Sequence, residues 1–105
     1  MNLPNIISEL VKAQNEFDSG AYANCFNKDA EVFDEGKNHK GKIEIQNWID
    51  LANKAYCATM TPLDFNESEN ILSAEISGTF PGSPIVLRYH FQLSNGRIKY
   101  LKITT

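Results

Sequence analysis

Several things are missing from this sequence, and each absence closes off a class of function. No apolar run approaches the ~18 residues that a membrane-spanning helix needs. No basic patch with interleaved aromatics accompanies the net charge of −3, so nucleic acid is not an expected partner. Glycine is sparse and never forms a phosphate-cradling loop or a dinucleotide fingerprint, so no nucleotide cofactor is expected. The two histidines, His39 and His90, lack the ligand spacing of a zinc site, and no metal is expected. The two cysteines, Cys25 and Cys57, form no C-x-x-C pair and read as buried thiols in a reducing cytoplasm, with a disulfide left open. At the N-terminus, Pro4, Glu9 and Lys12 interrupt any apolar core of a signal peptide.

What is present is ordinary in amount and informative in order. A hydrophobic content of 42% and a charged content of 22% suit one soluble domain over residues 1–105. Pro4 fits a first helical turn, and Ile6, Leu10, Ala13 and Phe17 recur at helical spacing. Asp18-Ser19-Gly20 should end that helix, with Gly20 as its left-handed stop. A second, short helix over "AYANCF" would set Tyr22 and Phe26 on one face, and "AEVF" is one short strand. After Gly41, the residues Ile45, Trp48, Ile49, Ala52 and Tyr56 form the apolar stripe of a long helix.

The second half changes character. "YCATMTPLDF", "ILSAEISGTF", "PIVLRYHFQL" and "RIKYLKIT" read as four strands, joined by the polar "NESEN", a turn at "PGS" and an Asn95-Gly96 hairpin. In the third of these, Ile85, Leu87, Tyr89, Phe91 and Leu93 alternate with Arg88, His90 and Gln92, so one sheet face is apolar and the other mixed. Helices followed by a meander make an α+β fold, with the helices on one face of an antiparallel sheet.

The stretches "FNKDAEVFDEG", "GKIEIQNWI", "SGTFPGSPIVLRYHFQL" and "NGRIKYLKI" occur in that order over nearly the whole chain. In this order and spacing the chain resembles the nuclear transport factor 2-like superfamily, and within it the SnoaL-like small domains. The resemblance implies a curved, cone-like sheet with three N-terminal helices packed on one face, an apolar pocket inside, and a homodimer formed through the outer sheet face. It also implies a small apolar or cyclic ligand and chemistry without a cofactor. Ketosteroid isomerase, a relative by fold, keeps its general base after a D-A-x-V-x segment, and "DAEVFD" sets Asp34 there. Of its two oxyanion donors, one falls near Ala13, which has none to offer, and the other near Tyr89, a phenol instead of a carboxylic acid.

Two readings follow for each candidate. Asp34 is a strand-end carboxylate raised in pKa by an apolar cavity and usable as a base, or a loop residue bonded to backbone or lysine. Tyr89 donates to a ligand carbonyl, or is a core tyrosine with an internal partner. Phe17, Phe26, Trp48, Tyr56, Leu87 and Phe91 wall an aromatic-lined pocket or simply pack. His39 reads as solvated within the charged loop "EGKNHKGK", and His90 by parity as facing outward. If catalytic, the protein would be a cofactor-independent isomerase or cyclase. The rival is a non-catalytic binding or interaction module.

Overall fold

The computed structural model covers residues 1–105 and bears out the α+β class. Helix α1, Asn5–Asn15, follows Pro4 and buries Ile6, Ile7, Leu10 and Ala13. It stops before Phe17, which itself takes the left-handed backbone (φ 54°) assigned above to Gly20. Asp18 is the reason: its carboxylate accepts from the Ala21 N–H at 3.0 Å and starts helix α2, Ser19–Asn24. Capping a new helix wins over ending the old one, and Phe17 is left 44% exposed between them.

The expected short strand is longer. Strand β1 runs Phe26–Asp34, so Phe26 is a strand residue and not part of α2. A further strand, β2 (Lys37–Lys40), lies within the stretch expected to be a plain loop. The hairpin between them turns on Glu35 (φ 52°) and Gly36 (φ 78°), the same pair of positive φ values that Asn95 (φ 54°) and Gly96 (φ 76°) adopt. Helix α3, Gly41–Tyr56, buries Ile45 and Ile49 and ends on the left-handed Cys57 (φ 48°). Cys57 is therefore exposed, unlike Cys25, and both thiols are free.

Strands β3 (Thr59–Asn66), β4 (Ile71–Ser77), β5 (Ile85–Ser94) and β6 (Arg97–Thr104) form the expected meander. The six strands make one unclosed curved sheet in the order β2-β1-β6-β5-β4-β3. It is mixed and not wholly antiparallel, because β1 reaches β6 in parallel. The whole meander separates these two strands in sequence, which permits a parallel pair. Strand β4 ends at Ser77 because Gly78 turns against the end of α3. A Cβ on Gly78 would lie 2.6 Å from the Tyr56 carbonyl oxygen.

One core of 20 buried residues fills the concave side, with Tyr22, Phe26, Ile45, Leu72, Ile98 and Leu101 among its most enclosed members. Its two buried polar side chains bond across elements. Gln14 donates from Nε2 to Asn53 Oδ1 at 3.1 Å and to the Ala58 carbonyl at 2.8 Å, tying α1 to α3 and the start of β3. Paired in this way, they avoid the cost of an unmet buried amide.

Candidate functional site around Asp34

Strand alternation decides which way Asp34 faces. Ala30 and Val32 are buried, and Asp34 shares their side of β1, while Glu31 and Phe33 face outward. The register then gives its neighbours. Phe33 pairs with Lys102, which sets Asp34 level with Ile103; Ile103 pairs with Tyr89, and Tyr89 with Leu72. Asp34, Ile103, Tyr89 and Leu72 thus form one inward row across four strands. Two strand spacings put the Asp34 and Tyr89 backbones about 10 Å apart, a gap that the two side chains partly span. Tyr89 is 6% exposed and its ring stacks on Phe91 with centroids 6.4 Å apart.

Electrostatics follow from that placement. Asp34 is half-buried, and its carboxyl is pushed up to about 6, chiefly by burial and next by the charge of Glu35, against the opposing backbone N–H of Glu35. Burial raises the Tyr89 phenol, and the carboxylate of Asp34 raises it further. At neutral pH the carboxylate form of Asp34 predominates, a form able to accept a proton.

The lining residues divide. Phe26 and Phe91 are core, and Trp48 and Leu87 pack against it. Phe17 and Tyr56 do not line this face: each is 44% exposed. Phe17 lies beyond the end of α1, and the Tyr56 ring leaves the buried stripe to meet Phe80 edge-on at 6.0 Å. The inward position expected of Tyr56 is lost because the last turn of α3 buries Asn53 instead.

Two residues given no part in the site by sequence reasoning belong beside it. His39 pairs with Val32 and so shares its inward side, and its ring stacks on Trp48 at 5.2 Å with 24° between planes. It is partly covered, and desolvation lowers its pKa. Tyr22, on α2, is 1% exposed and packs edge-on against Trp48 at 6.1 Å. Burial raises its phenol, with Tyr89 and Asp34 adding to the shift, which sets all three within electrostatic reach of one another. An antiparallel reading of "KNHK" against "EVFD" would have found His39. For Tyr22 the sequence offered only its place on the same face as Phe26.

His90 faces outward as expected and bonds to Thr104 through Nε2 at 2.9 Å. No cluster of three or more His, Cys, Asp or Glu side chains could hold a metal ion. Two surface depressions lie away from the Asp34 row. One, of about 290 Å³, sits on the outer sheet face among Asp29, Glu31, Gln92, Lys99 and Tyr100. The other, of about 450 Å³, lies between α1, α2 and β6 beside Glu9, Lys12, Glu16 and Arg97. No helix is long and apolar enough to cross a membrane.

No protein-family model and no curated protein matches the sequence. Solved structures do. A protein from Sinorhizobium meliloti, provisionally named a polyketide cyclase, is 36% identical, with 97% of this chain and 95% of that one aligned and a TM-score of 0.90. The chain belongs to the SnoaL-like, nuclear transport factor 2-like family. Two more distant structures share the fold of this SnoaL-like domain. A cystatin-fold protein from Novosphingobium aromaticivorans is 14% identical over 100% of this chain and 99% of that one (TM-score 0.81). A protein with a ketosteroid isomerase-like fold from Catenulispora acidiphila, solved in complex with trimethylamine, is 15% identical over 99% of this chain and 87% of that one (TM-score 0.86).

Proposed function

We propose that this SnoaL-like protein binds a small apolar or cyclic carbonyl compound on its concave face and acts on it as a cofactor-independent isomerase or cyclase. The observation that carries the reading is Asp34: an inward, half-buried carboxylate with its pKa pushed up to about 6, in the same row as the Tyr89 phenol. The Asp34 carboxylate takes a proton from the carbon next to the carbonyl, and the C–H electrons move to the carbonyl oxygen. The Tyr89 hydroxyl donates a hydrogen bond to the resulting enolate oxygen. Asp34 then returns the proton to a different carbon, which is isomerisation. Alternatively, the enolate carbon forms a C–C bond to a second carbonyl, whose oxygen takes the proton, which is cyclisation. The provisional name of the S. meliloti relative favours the second outcome. In this reading the protein is cytoplasmic, and a second subunit packs on the outer sheet face.

A specific observation favours a rival. The 290 Å³ and 450 Å³ depressions both lie away from Asp34, while the concave side holds a continuous core. A passive binding or dimeric interaction module would look the same.

Proton exchange separates the two readings. Cyclic ketones in D₂O, followed by proton NMR, should lose their α-proton signals faster with the wild-type protein than in buffer, and no faster than buffer with Asp34→Asn. Ketone resonances that shift on binding without exchanging would establish the passive module instead.

A further inference from the structure

We propose that the last turn of α1 serves as a stand-in strand along the free edge of β3, where the side chains of Gln14 and Asn15 keep a second copy of this chain from adding its own β3. The inference concerns self-association and is independent of the chemistry at Asp34.

Strand β3 is the outermost strand of the unclosed sheet, so one of its edges has no neighbouring strand. Such an edge presents a row of main-chain donors and acceptors, a template for pairing with another chain. Here the row is already occupied. The Met60 N–H donates to Asn15 Oδ1 at 2.6 Å, and Asn15 Nδ2 donates to the Met60 carbonyl at 2.9 Å. One side-chain amide thus makes both bonds that a residue of an antiparallel partner would make to Met60. Just before the strand begins, Gln14 Nε2 donates to the Ala58 carbonyl at 2.8 Å. Ala58 and Met60 are two residues apart, the spacing of main-chain groups along one edge.

The same alternation makes Pro62 the next position on that edge, and proline has no N–H to offer. The register against β4 then shifts between Pro62 and Asp64, where the extra residue is the 49% exposed Leu63. A bulge of this kind bends the edge away from a straight partner. The edge is therefore closed in turn by two amides, a proline and a bulge. It has reason to be. Thr59, Thr61, Leu63 and Phe65 suit a strand, and Asp64 is the one charge in the segment. The opposite edge, β2, is guarded differently: it is four residues long and carries Lys37 and Lys40. The excluded partner is a second copy, because two β3 edges related by a two-fold axis meet antiparallel, as β3 already meets β4.

The test compares the full wild-type chain with three variants, each checked for folding by circular dichroism, using amide hydrogen exchange and light scattering over a range of concentrations. In the wild type the Met60 amide should exchange slowly, since Asn15 holds it. In Asn15→Ala it should exchange about tenfold faster in dilute solution, as the loss of a hydrogen bond predicts. Asn15→Ala/Pro62→Thr also restores a donor at the next edge position. It should associate beyond the wild-type mass as concentration rises, and its Met60 amide should regain protection in the associated form. Asn15→Lys/Pro62→Thr loses the same bonds but sets a charge on the edge, and should stay at the wild-type mass. A wild-type Met60 amide that exchanges like an unprotected one would overturn the proposal without any variant. So would a folded Asn15→Ala/Pro62→Thr that keeps the wild-type mass at every concentration. Equal association of the lysine variant would overturn it too, by making association a consequence of lost stability alone.

Discussion

The two faces of the sheet treat polar groups in opposite ways. On the outer face, Glu31 lies 3.9 Å from Lys40, Lys102 sits over the Phe33 ring at 5.9 Å, and His90 bonds to Thr104. Each has a neighbour on that face. On the inner face, Tyr89 and Tyr22 are buried and Asp34 is half-buried, and burial raises the pKa of all three. Density of charge therefore misleads as a guide to chemistry. The telling feature is a titratable group held against the core, where burial shifts its ionisation.

The contrast can be broken most forcefully at Asp34. Asp34→Asn should slow α-proton exchange of a bound cyclic ketone by about a thousandfold, within the range that a positioned general base contributes. Exchange at wild-type rates in this variant would remove the base from the inner face. Leu72, on the same row and fully enclosed, has only a packing role. Leu72→Ala should cost about 3 kcal/mol in chemical denaturation, as an unfilled core cavity does.

A smaller effect separates the two roles of Asp34 itself. Its carboxyl moves from 3.8 to about 6 on folding, so the folded state prefers the protonated form. The associated stability is full below pH 3.8 and is lost as the pH rises through about 6. A shift of this size in a fully enclosed group would amount to about 3 kcal/mol, and solvent screening of a half-exposed one reduces that to about 1 kcal/mol. Denaturation of Asp34→Asn at several pH values should show it gaining about 1 kcal/mol on the wild type between pH 4 and pH 7. The same experiment on the outer face should show almost nothing. Glu31→Gln should change stability by less than about 0.5 kcal/mol at any pH, since its ion pair with Lys40 is exposed and long. A larger change would erase the distinction between the faces.

Much of this arrangement was legible before any coordinates, and the exceptions have physical causes. The Asn95-Gly96 hairpin was plain because asparagine tolerates a left-handed backbone. Glu35-Gly36 adopts nearly the same angles with a residue that does not advertise them, so β2 read as loop and His39 as solvated. Helix stop and helix start compete in "FDSG", and Asp18 settled it by capping α2, which carried Phe17 off the expected apolar face. The period of α3 was correct, but periodicity cannot say which turn is last to face inward. Asn53, bonded to Gln14, takes the place assigned to Tyr56. The inward direction of Tyr89 was legible because strand parity transfers directly into three dimensions, whereas Asp34 was placed by the family resemblance and its direction came from the fold. Tyr22 was not, because its packing on Trp48 depends on how α2 lies over the sheet, which only the fold reveals.

The most direct test of the central claim is a carbon-13 NMR titration of the side-chain carboxyl of Asp34 in the folded protein, assigned by its loss in Asp34→Asn. Burial on the inner face predicts a midpoint near pH 6. A midpoint near 3.8, the ordinary value for an aspartate in water, would show a solvated carboxylate and contradict the account.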